Sequence, residues 1–215
     1  MEIIKKINNK IVRVMRNFYL FKIGAFLSHF KKASVPKDGP ILIHIGCGEF
    51  NDKRYINVDS RKGLHIHYVD TIENISKLFP QNYADLIYGC HVLEHVSHLK
   101  LTQTLKGLYV CLKKGGILRL SVPDFETIVG MYQEKSSVSG IIAPLMGGQG
   151  YPGNFHFSVF DEEYLRNLLI SVGFKEVRKW DPQNASFHSF DDWSKRKINL
   201  YNKEWPISLN IEAVK

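Results

Sequence analysis

The chain has 215 residues, 44% hydrophobic and 23% charged, an ordinary composition for a soluble globular protein and a length suited to one domain or one domain with an appendage. Its three cysteines, Cys47, Cys90 and Cys111, form no CxxC pair, which speaks against a disulfide framework or a zinc knuckle and for reduced thiols in the cytoplasm. The net charge of +8 is confined to residues 1–37, where nine basic residues face only Glu2; the remaining 20 basic and 20 acidic residues cancel, so the body has no bias toward nucleic acid.

In chain order, residues 1–37 read as a basic amphipathic helical appendage, with Ile3, Ile4, Ile7, Ile11, Val12, Val14 and Met15 supplying the apolar positions. The apolar run 18–30 is broken by Lys22 and falls short of the ~20 residues of a spanning helix. Two roles stay open for the appendage: packing on the body, or peripheral contact with an anionic membrane surface. The segment ASVPKDGP (33–40) leads into a body over 38–215.

The body opens with ILIHI (41–45), a short and almost continuously apolar run, as a buried parallel strand requires. It ends in Gly46-Cys47-Gly48. Further strands are expected at 55–58, closed by Asp59, at 65–69, closed by Asp70, at 85–89 and at 117–122. A helix is expected at 101–113, followed by Gly115 and Gly116 to turn out of it, and a shorter one at 124–132. Residues 136–160, rich in glycine, read as a long ordered loop or lid. A helix at 162–172, capped by Asp161, and strands at 174–180 and 207–214 complete the chain. Strands alternating with helices imply an α/β fold, a doubly wound, mostly parallel sheet with an antiparallel C-terminal edge strand.

In such a sheet ligands bind at the carboxyl ends of the strands. Those ends carry Gly46 and Gly48, then Asp59, then Asp70, then His91. Glycines admit a ligand to the backbone, an acid closing the second strand can accept both hydroxyls of a ribose, and an acid on the third can accept an adenine amine. Together they describe an adenosine-type cofactor site. Asn51 stands where a third glycine of GxGxxG would fall, and Asp59 follows Gly46 too closely for the dinucleotide fingerprint, which disfavours NAD.

The succession ILIHIGCG, INVDS, VDTIEN, ADLIYGCHVLEHV and LKKGGILRLSVPDF resembles the class I S-adenosylmethionine-dependent methyltransferases, with their Rossmann-like seven-stranded sheet. GCHVLEHV, LRLSVPDF, GGQGYPGNFHFSVFD and the terminal DDWS…ISLNIEAVK narrow the resemblance to a family of bacterial surface-polysaccharide clusters. The resemblance implies S-adenosylmethionine as cofactor, with Gly46 and Gly48 at its methionine end, Asp59 at the ribose, Asp70 and Ile72 at the adenine, and His91 near the sulfonium. The stretch between Gly48 and Tyr55 is shorter than the first helix of most class I members.

A hydroxyl acceptor calls for a base, and His156, in the loop expected to lie over the carboxyl edge, is the first candidate, with Asp124 to orient it or to act as helix cap. Gln149, Tyr151 and Asn154 are the candidate acceptor contacts. His91-Val92-Leu93-Glu94-His95 also matches HxxEH, an inverted zinc-peptidase pattern; such a site wants the motif inside a helix, and here it starts at a strand end, so no metal is expected. The aromatic and acidic run Phe187, His188, Asp191, Asp192 and Trp193 suits carbohydrate contact or packing equally. The expected activity is O-methylation of a sugar, or of a phosphate-like decoration of one, in polysaccharide assembly. The alternatives are methylation of a small metabolite or nucleotide, and a non-catalytic cofactor-binding partner protein.

Overall fold

The computed structural model describes residues 34–36, 38–151 and 153–215. Apart from 34–36, the expected N-terminal appendage lies outside the described residues.

Five parallel strands form one half of the sheet: β1 (Leu42–Ile45), β2 (Tyr55–Asp59), β3 (Tyr68–Val69), β4 (Ala84–Cys90) and β5 (Leu112–Pro123). The full order is β3-β2-β1-β4-β5-β9-β6, with β9 (Ser208–Val214) antiparallel to both β5 and β6 (Glu176–Lys179). Strand β9 alone runs against the others, since β6, antiparallel to β9, is parallel to β1–β5. The C-terminal strand lies inside the sheet, and β6 forms the outer border.

Every residue of β1 and β2 is buried, which is why these strands read as largely apolar runs, interrupted by His44 and Asn57. One face packs Ile43, Ile45, Val58, Ile87 and Leu120 against α1 (Ile75–Leu78), α2 (Leu101–Cys111) and α5 (Glu162–Val172), through Ile75, Leu101, Leu105, Leu108, Leu165 and Leu169. The opposite face buries Leu42, Tyr55, Leu86 and Tyr88 under Trp180 and Phe190. Residues 46–54 hold turns and no helix, since so short a connection lacks the length of a helical crossover. The described cover of that face is instead the aromatic segment 180–194. It is held by Tyr88, whose hydroxyl donates to Asp192 Oδ2 at 2.6 Å, and by Ser194, which donates to Oδ1 from backbone and hydroxyl.

Some lengths depart from expectation for identifiable reasons. β3 is two residues long because the Asn57 N–H, a potential ladder donor, is taken by His67 Nδ1 at 2.9 Å. α2 ends at Cys111, and β5 begins at once with Leu112, absorbing the Lys-Lys-Gly-Gly turn. Within 136–160 lies a short α4 (Ile142–Met146), after α3 (Phe125–Lys135). A separate hairpin, β7 (Lys197–Leu200) and β8 (Lys203–Pro206), was not anticipated; its turn residues Tyr201 and Asn202 both have positive φ, as a two-residue hairpin turn requires. Trp205 from this hairpin packs beside Gly130 of α3, where an added Cβ would stand 3.3 Å from the indole.

Candidate active site

β1 delivers the chain into Gly46-Cys47-Gly48, and both glycines hold left-handed φ, 63° and 58°. At Gly46 a side chain is excluded outright, because its Cβ would lie 2.7 Å from Val92 Cγ2. The same valine sits over Gly89 of β4, where a Cβ would be 2.8 Å from Cγ1. Val92 thus couples the glycine turn to the residues that leave β4.

The Gly46 and Cys47 amides donate to Val58 O, and Gly48 N–H donates to Asp59 Oδ2 at 2.8 Å. Asp59 faces the glycine turn, with its Oδ1 accepting from Arg61 N at 2.9 Å and Nε at 3.2 Å. His65 Nε2 reaches Gly48 O at 3.0 Å, and burial lowers the pKa of that ring below the ordinary histidine value. Asp70 ends β3 and accepts from Asn74 Nδ2 and Thr71 N through Oδ1; these bonds hold its carboxyl below the usual range. Ile72 is buried in the core beneath it. These residues fit an adenosine-type ligand: two positions without side chains where the backbone can be approached, then carboxylates at the ends of the next two strands.

On the other side of Val92, His91 leaves β4 with φ 51°, its amide donating to Ser121 O at 2.8 Å. A three-residue turn, Leu93–His95, then buries Glu94 completely, and among the described residues neither carboxyl oxygen has a hydrogen-bond partner. Three imidazoles surround it. Ser208 donates its only hydroxyl proton to Trp193 O at 2.6 Å, so at 2.8 Å it accepts from His91 Nε2–H. His91 Nδ1 is then a bare lone pair, 3.4 Å from Glu94 Oε1. His95 donates from Nδ1 to Phe155 O at 2.9 Å, and His156 from Nδ1 to Pro144 O at 3.1 Å, so in the neutral tautomer of each ring the lone pair lies on Nε2. His156 Nε2 is 3.9 Å from Glu94 Oε1, and the His95 and His156 rings meet edge to face at 5.1 Å. Burial pushes Glu94 up to about 8 and holds His91 down to about 3 and His156 to about 4. The 3.4 Å approach is therefore between neutral groups near pH 7, not an ion pair.

The lid brings His156 here. Phe157 N–H donates to Glu94 O at 2.8 Å, and the Ser158 hydroxyl to Val96 O at 2.7 Å. Gln149 N–H donates to Asn154 O at 3.0 Å and Asn154 N–H to Tyr151 O at 3.1 Å, closing the loop on itself. The Tyr151 ring lies 5.1 Å from the Arg61 guanidinium, so the lid reaches from the histidine cluster to the partner of Asp59. Gly147 makes this path feasible: its φ is 81°, and an added Cβ would be 2.4 Å from Asn154 O and 3.1 Å from His156 Cδ2. Gly147→Ala is expected to displace the loop, at a cost of about 1–3 kcal/mol for forcing a side chain into that backbone. Limited proteolysis should show faster cleavage within 147–155 and unchanged cleavage elsewhere.

Asp124 is placed as the N-cap of α3, and among the described residues its carboxylate hydrogen-bonds only Glu126 N and the Thr127 hydroxyl. Beyond the lid, a groove of about 530 Å³ is lined by His98, Phe125, Phe157, Val159, Asp161 and Tyr164, among others. Of the run 187–193, Asp192 is committed to packing, while exposed Trp193 lies 6.0 Å from the His91 ring. Glu94, His95, Ser208 and Trp193 were not singled out as site residues. The HxxEH spacing was the available signal for the first two; the last two come into place only through β9 and the segment before it.

The model of a family described as a methyltransferase domain matches residues 19–179. None of the curated proteins matches. Among solved structures, a SAM-dependent methyltransferase from Archaeoglobus fulgidus aligns with a TM-score of 0.51 and 16% identity over 94% of each chain. Another SAM-dependent methyltransferase, from Thermotoga maritima, aligns at 0.53 and 18% over 96% of each. At such identities these two similarities bear on the fold.

Proposed function

We propose, from the premise that this chain belongs to the methyltransferase domain family and takes its methyl group from S-adenosylmethionine, that it O-methylates a sugar or a phosphate-like decoration of one in bacterial surface-polysaccharide assembly, in the cytoplasm or at the inner face of the membrane. Among the described residues no helix is long and apolar enough to cross a membrane.

One observation carries the reading. Val92 packs against Gly46 of the proposed cofactor turn and directly follows His91 of the histidine cluster, so donor and acceptor ends share one wall. Bound S-adenosylmethionine supplies a methyl group already activated on a sulfonium, so the chain's own task is alignment and proton removal. Gly46 and Gly48 admit the methionine end. Asp59 receives the ribose hydroxyls, with Arg61 Nε, the longest of its three bonds, giving way. Asp70 takes the adenine amine, with Ile72 below. At the acceptor end His156 Nε2 carries a lone pair that can take a hydroxyl proton, and Gln149, Tyr151 and Asn154, from the same loop, are the proposed acceptor contacts. The exposed rings of Phe157 and Tyr164 along the groove suit the apolar face of a pyranose, with His98 and Asp161 for its hydroxyls.

His156→Ala should lower kcat by about 100-fold or more, the usual worth of a positioned base, and leave S-adenosylhomocysteine binding intact. Steady-state kinetics with nucleotide-linked sugars and glycans as acceptors measures this, and an unchanged rate removes His156 from the reaction.

A further inference from the structure

We propose that Glu94, His95 and His156, with His91 adjoining, bind one divalent transition-metal ion of the zinc type. The sequence alone pointed to no metal. In the folded chain one ligand atom each from Glu94, His95 and His156 lies within 4.8 Å of the other two. Ligand atoms held at 2.0–2.2 Å by one tetrahedral ion stand about 3.3–3.6 Å apart, so closure takes about an ångström of side-chain movement.

Two further features of the site are independent of that spacing. Glu94 is fully buried and, among the described residues, both its carboxyl oxygens lack a partner, an arrangement that burial penalises unless something completes it. In addition, each ring already donates its other N–H to a fixed oxygen: His91 to Ser208, His95 to Phe155 O and His156 to Pro144 O. Such outer bonds set the tautomer and aim the remaining lone pair, the arrangement found behind metal-ligating histidines. Two or three imidazole nitrogens with one carboxylate suit zinc, manganese, iron or cobalt, and not calcium, which takes oxygen ligands throughout.

The ion site stands without reference to any acceptor. Its role rests on the methyl-transfer reading: the base role of His156 proposed above belongs to the ion-free chain, whereas with an ion bound His156 is a ligand and the ion would polarise the acceptor hydroxyl. The proton then leaves to solvent as the oxygen bonds the methyl carbon and the carbon–sulfur pair remains on sulfur.

The test is equilibrium dialysis of the full chain against Zn²⁺ and, separately, Co²⁺ with its visible absorption. Glu94→Gln and His95→Ala are run in parallel, and S-adenosylhomocysteine binding is measured for all three proteins. One ion per chain is expected, weakened by at least about 100-fold in each variant while S-adenosylhomocysteine binding persists. Zn²⁺ should raise the melting temperature of the unaltered chain and not that of Glu94→Gln. Absence of saturable uptake, or equal uptake by Glu94→Gln, overturns the site and leaves Glu94 a buried neutral acid. Failure of the unaltered chain to bind S-adenosylhomocysteine would count against the proposed function and leave the ion measurement unaffected.

Discussion

Asp59→Ala should abolish measurable S-adenosylhomocysteine binding, while Asp59→Asn should weaken it by a smaller factor. Asp59 closes β2 beside the left-handed Gly48, whose amide it fixes at 2.8 Å. A carboxylate that accepts from both ribose hydroxyls makes two charge-assisted bonds, each worth about 1.5–3 kcal/mol. Losing both costs about 3 kcal/mol or more, which is at least about 100-fold in affinity. Alanine also releases Gly48 N–H and Arg61, so the turn itself loosens. Asparagine keeps one acceptor oxygen for the Gly48 amide and gives up the charge, and so separates the ribose contact from the turn. Isothermal titration reads both variants; wild-type affinity in Asp59→Ala would falsify the ribose assignment.

Glu212→Ala is expected to destabilise the chain by about 3–5 kcal/mol in urea unfolding, the usual cost of breaking a buried pair from one side. Arg119 on β5 and Glu212 on β9 stand opposite each other in the register and are 2% and 6% exposed. Arg119 Nε donates to Glu212 Oε1 at 2.6 Å, and its NH1 to Ser186 O at 2.7 Å. The guanidinium also lies 5.0 Å from the Trp180 ring, which closes off that side. Removing the carboxylate leaves an unpaired cation beneath the aromatic cover. Replacing both partners together, Arg119→Met with Glu212→Leu, should recover most of the loss, because no buried charge is left behind. A loss below about 1 kcal/mol for Glu212→Ala would mean that the pair behaves as an exposed one.

The proposed cofactor side of the site was legible in the sequence because its chemistry is local. Gly46, Gly48, Asp59 and Asp70 each end or follow a strand, and an apolar run bounded by glycine or an acid marks such an end within a few residues. The acceptor side was legible only in fragments. Glu94 and His95 belong to an HxxEH motif, which signals a metal site from sequence only inside a helix. It lies in a three-residue turn after β4, entered through a left-handed His91. His156 stood out as a loop histidine, but its partner Glu94 lies 62 residues earlier and meets it only because the lid hydrogen-bonds across the Glu94 turn. The β7–β8 hairpin escaped notice because its turn uses Tyr201 and Asn202 without the glycine that usually marks one.

The sequence by itself determined the mostly parallel α/β sheet, the strand ends that carry the proposed cofactor residues, and the neutrality of the body, since burial, turn chemistry and charge are written in neighbouring residues. Only the tertiary structure decided that β9 enters between β5 and β6, placing Ser208 against His91 and Glu212 against Arg119. It also decided that three imidazole lone pairs converge on an unpartnered carboxyl. The direction of a lone pair depends on which oxygen takes the opposite N–H, and those oxygens come from residues 144, 155 and 208, which only packing of the lid and β9 brings within reach.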